Sequence, residues 1–198
     1  MDRKKLVYGL IGVIGSGKDF FAKELYNNHT SEGIQATILD FSDGVRDLTF
    51  SILGLPNPPS IEAYNKWKDQ SSVIVGFDGV AVTVNNRKFM TNIGGRLRKY
   101  DPLFWADWCY KNALKIKDDY DVFIFNSCRY SEESKKIFEF AEQINADVKM
   151  FFTDYKSERY CLSTDDSERY AIKFLHTGAH HREEITELVK RDLENYYG

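Results

Sequence analysis

Gly12-Val13-Ile14-Gly15-Ser16-Gly17-Lys18-Asp19 is the stretch whose residue types and spacing point most directly to chemistry. It fits G-x-x-x-x-G-K up to its last position. Glycines let a loop curl until successive backbone N–H groups point inward, and a helix that follows adds its unpaired N–H groups and the positive end of its dipole. Such a nest suits phosphate oxygens, and Lys18 would bring a mobile positive charge to the β- and γ-phosphates of a nucleotide. Gly12, Gly15, Ser16, Gly17, Lys18, Asp19 and Phe20 are therefore the candidate ATP-binding residues. The bland alternative is a Gly-rich turn before a helix, with Lys18 solvated. The residue after the lysine is usually Ser or Thr, whose hydroxyl meets Mg²⁺, but here it is Asp19. A carboxylate there either coordinates Mg²⁺, directly or through water, or caps the helix. Ser16 is a second candidate for the metal, and residue types alone leave the choice open.

The elements around this loop have to hold it in place. Leu6 to Ile14 is apolar and reads as a strand buried on both faces, and Lys18 to Tyr26 then switches to helical spacing. Ala36 to Phe41 reads as a second strand. Asp43 fits a helix N-cap, with Val45, Leu48, Ile52 and Leu53 on the apolar face of a helix ending at Gly54. Ile61 to Trp67 reads as a short helix. Two β-rich runs around Asp78-Gly79 predict an inserted hairpin near residues 73–84, outside the main sheet. Arg87 to Ile93 reads as a helix interrupted by Gly94-Gly95. Asp101-Pro102 reads as a helix start with Pro at the first position, leading into a face of Trp105, Trp108, Cys109, Asn112, Ala113 and Ile116. Strands follow at Tyr120 to Phe125, at Val148 to Phe152 and at Tyr170 to Leu175. A helix built on Ile137, Phe140, Ala141 and Ile144 intervenes, and another, built on Ile185, Leu188, Val189 and Leu193, ends the chain. This alternation predicts an α/β fold with a mostly parallel sheet.

Composition bounds the rest. The chain has 198 residues, with 27 Lys plus Arg against 30 Asp plus Glu, a net charge of −3 that argues against a dedicated nucleic-acid binder. It leaves room for a local basic pocket. Aromatics at 15% argue against extended disorder, and three cysteines without paired spacing fit a reducing compartment. No apolar run approaches the ~20 residues that span a bilayer, and no signal peptide is apparent. A cytoplasmic location is the expectation. His176, His180 and His181 lack a metal-binding pattern, and Cys109, Cys128 and Cys161 lack the partners of a nucleophilic cysteine.

A loop ending in Gly-Lys-Asp resembles those of the phage-type deoxynucleoside monophosphate kinases and the animal phosphomevalonate kinases, and the rest of the chain looks more like the first. The stretches that carry the likeness are Phe41-Ser42-Asp43 with Arg46 one turn on, Arg87 to Ile93 with Gly94-Gly95-Arg96, Asp101 to Trp105, Ser127-Cys128-Arg129-Tyr130 before Glu132-Glu133, and Asp166-Ser167-Glu168. They occur in the family's order over nearly the whole chain. The resemblance implies a single P-loop kinase domain over residues 1–198, a three-layer nucleoside-triphosphate-hydrolase-like fold with helices on both faces of a parallel sheet. It implies phosphoryl transfer from ATP, with Mg²⁺, to a (deoxy)nucleoside monophosphate. The alternatives are another small acceptor, of the phosphomevalonate or dephospho-coenzyme A kind, and a nucleotide-binding module without transfer activity. One departure stands out, since the family's strand-end aspartate is Ser127 here.

The roles implied by the resemblance are these. Lys18, Arg129 and Asp43 are candidate catalytic residues. Asp43, Arg46, Arg87, Arg96, Arg98, Phe104 and Trp105 are candidates for the acceptor. Arg129, at a strand's carboxyl end, would hold the acceptor phosphate or the transferring group, or else pair with Glu132 or Glu133. Arg96 and Arg98 would grip a monophosphate, or else form a solvated basic surface with Lys99. Asp43 would orient a hydroxyl or act as a base, or else only cap its helix. Phe104 and Trp105 would stack on a base, although Trp105 lies on an apolar stripe that suits core packing. Arg159, with Lys156 and Arg169 nearby, would belong to a lid over about 154–169, or else to a charged loop. ATP and a nucleoside monophosphate are the expected partners, and a homodimer is admitted. Neither nucleic acid nor a membrane is expected as a partner.

Overall fold

The computed structural model describes residues 4–13, 15–58, 60–76, 78–154, 169–175 and 182–197. In chain order the elements are β1 (Leu6–Ile11), α1 (Lys18–Ser31), β2 (Ala36–Asp40), α2 (Asp43–Ile52), α3 (Ile61–Lys68), β3 (Ser71–Val75), β4 (Ala81–Asn85), α4 (Asn86–Tyr100), α5 (Phe104–Lys115), β5 (Val122–Cys128), α6 (Ser131–Gln143), β6 (Asp147–Phe152), α7 (Arg169–Leu175) and α8 (Arg182–Tyr197). They form two compact units. One comprises the residues up to Phe41 and from Ala106 onward, and the other runs from Ser42 to Trp105.

The first unit is built on four parallel strands in the order β2-β5-β1-β6. Successive side chains of a strand face opposite ways, and both faces of this sheet are covered. Val7 and Ile11 of β1 join Phe123, Phe125, Ile137, Phe140, Met150 and Val189 in one core. Tyr8 and Leu10 join Ala22, Ile34, Val122, Ile124 and Phe151 in the other. Helices α6 and α8, with Cys109 and Ala113 of α5, supply the first core, and α1 supplies the second. The unit is thus an α/β fold in three layers, and its central strands β1 and β5 are buried almost throughout, which is why they read as apolar runs without polar alternation.

The second unit packs α2, α3 and α4 around an aromatic center. Phe50 and Trp67 lie 4.4 Å apart, and Tyr64 completes the cluster. Asn85 caps α4 by accepting the Lys88 N–H at 3.0 Å. Strands β3 and β4 make their own antiparallel two-stranded sheet, with Ser71 opposite Asn85 and Val75 opposite Ala81.

Several local expectations need correction. Strand β1 stops at Ile11, and helix α1 runs on through Asn27 and Asn28 to Ser31. Helix α4 continues straight through Gly94-Gly95. Helix α5 begins at Phe104, because the Asp101 carboxylate accepts the Leu103 N–H at 2.9 Å and holds Asp101-Pro102 in a turn. Ser42, not Asp43, occupies the N-cap position of α2. Residues 170–175, expected as a strand, lie in helix α7, where Ala171 and Phe174 are buried one turn apart. A short apolar run of that kind carries no period long enough to separate the two conformations.

Candidate functional site

The loop after β1 is shaped by close approach. The Thr153 N–H bonds to the Ile11 carbonyl at 2.9 Å, which carries the β1–β6 pairing one step past the end of both strands. A Cβ at Gly12 would stand within 2.8 Å of Ser16 Oγ and of the hydroxyl and carbonyl oxygens of Thr153, so only glycine fits there. The Ser16 N–H closes back on the Val13 carbonyl at 3.2 Å, and Ser16 Oγ lies 2.9 Å from Thr153 Oγ1. Gly17, at φ 83° and ψ 11°, then turns the chain into α1 in the left-handed region open to glycine.

Lys18 opens α1 with its side chain folded back over this loop. It is 7% exposed, and its Nζ donates to the carbonyls of Gly12 and Val13, at 2.7 Å each. A buried ammonium needs such acceptors, and the loop supplies them from its own backbone. Phe20, two residues on, is 70% exposed.

Asp19 belongs to a second polar group at the carboxyl ends of β2 and β5. Asn126 Nδ2 donates to Asp19 Oδ1 at 2.7 Å and to Asp40 Oδ2 at 3.1 Å, and Ser127 Oγ donates to the same Asp40 oxygen at 2.8 Å. Asn126 and Ser127 are both buried, and Asn126 Oδ1 is buried with no hydrogen-bond partner. Among the described residues, no three or more His, Cys, Asp or Glu side chains gather closely enough to hold a metal ion by themselves. A pair of carboxylates is nevertheless the donor set that Mg²⁺ takes when phosphates and water complete its octahedron.

Arg129 follows β5, and its backbone is pinned by a buried carboxylate. Glu133 Oε2 accepts the N–H groups of Arg129 at 2.6 Å and Tyr130 at 3.1 Å, which caps the start of α6. Of the two glutamates set against Arg129 in the sequence, Glu133 thus serves its backbone. Behind this turn Cys128 Sγ lies 3.1 Å from Ser134 Oγ, which also accepts from the Tyr170 hydroxyl at 3.0 Å. Burial, and after it the Glu133 charge, push the Cys128 thiol well above its ordinary range, and burial likewise raises the Tyr170 phenol. Cys128 is therefore a neutral packing group.

The candidates of the second unit are held locally. Asp43 sits in the first turn of α2 and pairs with Arg46 Nη1 at 2.7 Å, and the Arg46 guanidinium lies over the Tyr64 ring. Arg87 pairs with Asp69 at 2.7 Å on the surface. Arg96 is exposed, and Arg98 reaches the Pro102 carbonyl at 3.4 Å. Trp105 is 3% exposed and donates its indole N–H to the Gly94 carbonyl at 3.0 Å, the geometry of a core side chain. Phe104 stands edge-on to it at 4.8 Å and keeps 38% exposure. Lys156, Arg159, Cys161, Asp166-Ser167-Glu168, His176, His180 and His181 lie outside the described residues, as does the side chain of Arg169.

Three residues of the first unit join the candidate site only through the fold. Asp40 and Asn126 are brought to Asp19 from 21 and 107 positions away, and Thr153 buttresses the loop from β6. A usable signal for the first two was their place at the carboxyl ends of predicted strands, where ligands of open α/β sheets collect.

No family model matches the chain, and no curated protein matches it. Solved structures do. The APS kinase CysC of Mycobacterium tuberculosis, as its Cys556Ala mutant, is similar at 13% identity and a TM-score of 0.43, over 87% of this chain and 96% of that one. A protein described as APE1195 is similar at 15% identity and a TM-score of 0.40, over 98% of this chain and 75% of that one. Likeness at this level says nothing about substrate. No helix among the described residues is long and apolar enough to cross a membrane.

Proposed function

We propose that the chain is an ATP-dependent phosphotransferase whose acceptor is a (deoxy)nucleoside monophosphate. One observation carries the reading: a loop built on Gly12, Gly15 and Gly17, at the carboxyl end of a parallel strand, with the Lys18 ammonium folded over it. The two carbonyls that hold Lys18 are partners it can exchange for phosphate oxygens. The loop N–H groups and the start of α1 would then cradle the phosphates. Transfer of this kind needs positioning and charge neutralisation more than a covalent partner. The choice of acceptor rests on the sequence resemblance, together with the basic residues Arg96 and Arg98 and the paired Asp43 and Arg46.

Asp19 and Asp40 would hold the divalent cation that accompanies the triphosphate. The fit is supported by a buried amide that draws both carboxylates together and by its own unpartnered Oδ1. When bound, such a cation supplies charge neutralisation on the β- and γ-phosphates. Arg129, with its backbone fixed by Glu133, would meet either the acceptor phosphate or the transferring group.

A coupled assay over nucleoside monophosphates, phosphomevalonate and dephospho-coenzyme A tests the reading, with wild type beside Lys18→Ala. Turnover confined to one or more nucleoside monophosphates is expected. Turnover confined to a non-nucleotide acceptor would overturn the acceptor assignment. ATP binding without turnover above the mutant would make the chain a nucleotide-binding module, the reading that Asp19 and Ser127 motivate.

A further inference from the structure

Consecutive side chains of a regular strand face opposite ways, yet Asn126 and Ser127 both donate to Asp40 Oδ2. The pairing explains how. Strands β1 and β5 run in register as far as Gly9 opposite Phe125, but the next pair is Ile11 opposite Cys128. Over that step β1 contributes Leu10 alone, while β5 contributes Asn126 and Ser127. The extra residue is a bulge, and it lies where Ser127 takes a φ of 60°, a left-handed conformation that a non-glycine residue adopts at a cost. Asn126 is the direct neighbour of Asp40 across the β2–β5 ladder and reaches it without help. Ser127 would face away in an unbulged strand. The bulge turns it inward and then returns Cys128 to the core in register.

We infer that Ser127, delivered by the β5 bulge, and Asn126, placed opposite Asp40 by regular pairing, are positioning residues that fix the Asp40 carboxylate beside Asp19. This rests on the reading that Asp19 and Asp40 serve the cation of a nucleotide bound at the Lys18 loop. Both donors are buried, and the Asp40 carboxylate that accepts from them is half-buried. The orientation of the Asn126 amide follows from its surroundings, since two carboxylates require its N–H₂ end. Strain at a functional strand end is a known device for re-aiming a side chain. A bulge with only a packing role makes a contrary demand: glycine at 127 would relieve the strain and leave cation binding as it was.

The test uses the full chain, Mn²⁺ as the cation and the β,γ-imido analogue of ATP, in wild type, Ser127→Gly, Ser127→Ala, Asp40→Ala and Ser127→Gly/Asp40→Ala. Mn²⁺ affinity in the nucleotide complex is read by electron paramagnetic resonance, analogue affinity without metal by calorimetry, and stability by thermal unfolding. Ser127→Gly is expected to melt no lower than wild type yet bind Mn²⁺ roughly 10-fold more weakly, as when a partner of a metal ligand is lost. Analogue affinity without metal is expected to stay unchanged. In the Asp40→Ala background Ser127→Gly is expected to add nothing, because it acts through that carboxylate. Wild-type Mn²⁺ affinity in Ser127→Gly, or an equal loss with and without Asp40, would overturn the inference alone. A wild-type chain that binds neither analogue nor Mn²⁺ would overturn the loop reading and this inference with it.

Discussion

Gly15-Ser16-Gly17-Lys18 and Gly94-Gly95-Arg96 look alike on paper, each a glycine pair leading to a cation, but they fold in opposite ways. The first is a loop whose glycines take φ of 75° and 83° and whose lysine is buried on backbone carbonyls. The second is two turns inside α4, where neither glycine has a positive φ and Arg96 is exposed. What differs is the surroundings. The first pair follows a buried strand end and the close approach of Gly12 to Thr153 and Ser16. The second lies within a capped 15-residue helix whose packing outweighs the weak helix preference of two glycines. A glycine-plus-cation pattern is thus informative only through the elements that flank it.

The largest effect should come from the buried cation. Lys18→Ala is expected to lower phosphoryl transfer by roughly 10²–10³-fold, since a charge aimed at the transferring group is lost. Circular dichroism should show the fold retained, because the bonds lost are confined to the loop carbonyls of Gly12 and Val13. Unchanged turnover would remove the first loop from the chemistry and erase the contrast. Gly12→Ala comes next. Its Cβ would meet backbone and hydroxyl oxygens that cannot all move aside, so a loss of about 1–3 kcal/mol is expected in denaturant unfolding. A neutral result would mean that the close packing of Thr153 against the loop is dispensable.

The two stretches also differ in how far they were legible. Strand, loop and helix around Lys18 could be read because an apolar run, a glycine motif and a change of period coincide within about 20 residues. The hairpin at Asp78-Gly79 was legible for the same local reason. Asp40, Asn126 and Thr153 were not, since each reaches the loop only through parallel pairing of strands far apart in sequence. The reading of Ser127 as a replaced aspartate caught its position but not its bond to Asp40, which depends on a bulge that no residue type announces. Gly94-Gly95 reads as a break on local propensity alone, yet α4 runs through it. Asp43 reads as an N-cap but stands one residue inside the helix, where it pairs with Arg46.

Arg96 sharpens the comparison from the other side. If the second stretch serves the acceptor, Arg96→Ala should raise the acceptor KM about 10-fold, the loss of one charged hydrogen bond, with the ATP KM unchanged. A selective rise in the ATP KM would reverse the assignment of the two stretches. An unchanged acceptor KM would return Arg96 to the solvated surface.

The smallest effect is the one in which the two stretches should differ in sign. Gly95 lies inside α4 with a non-positive φ, and an added Cβ would meet nothing within 4 Å. Alanine there adds no clash and narrows the unfolded chain's freedom, so Gly95→Ala should stabilise the protein by about 1 kcal/mol. That would raise the thermal midpoint by about 2–4 °C for a chain of this size. At Gly94 the Val45 methyls lie 3.4 Å from the same position, so the gain there should be smaller. Turnover should be unchanged in Gly95→Ala if the glycine has no part beyond the helix. A stabilised variant with lost turnover would mean that α4 must bend at this point during the reaction. The two glycine pairs would then share a functional demand that their conformations conceal.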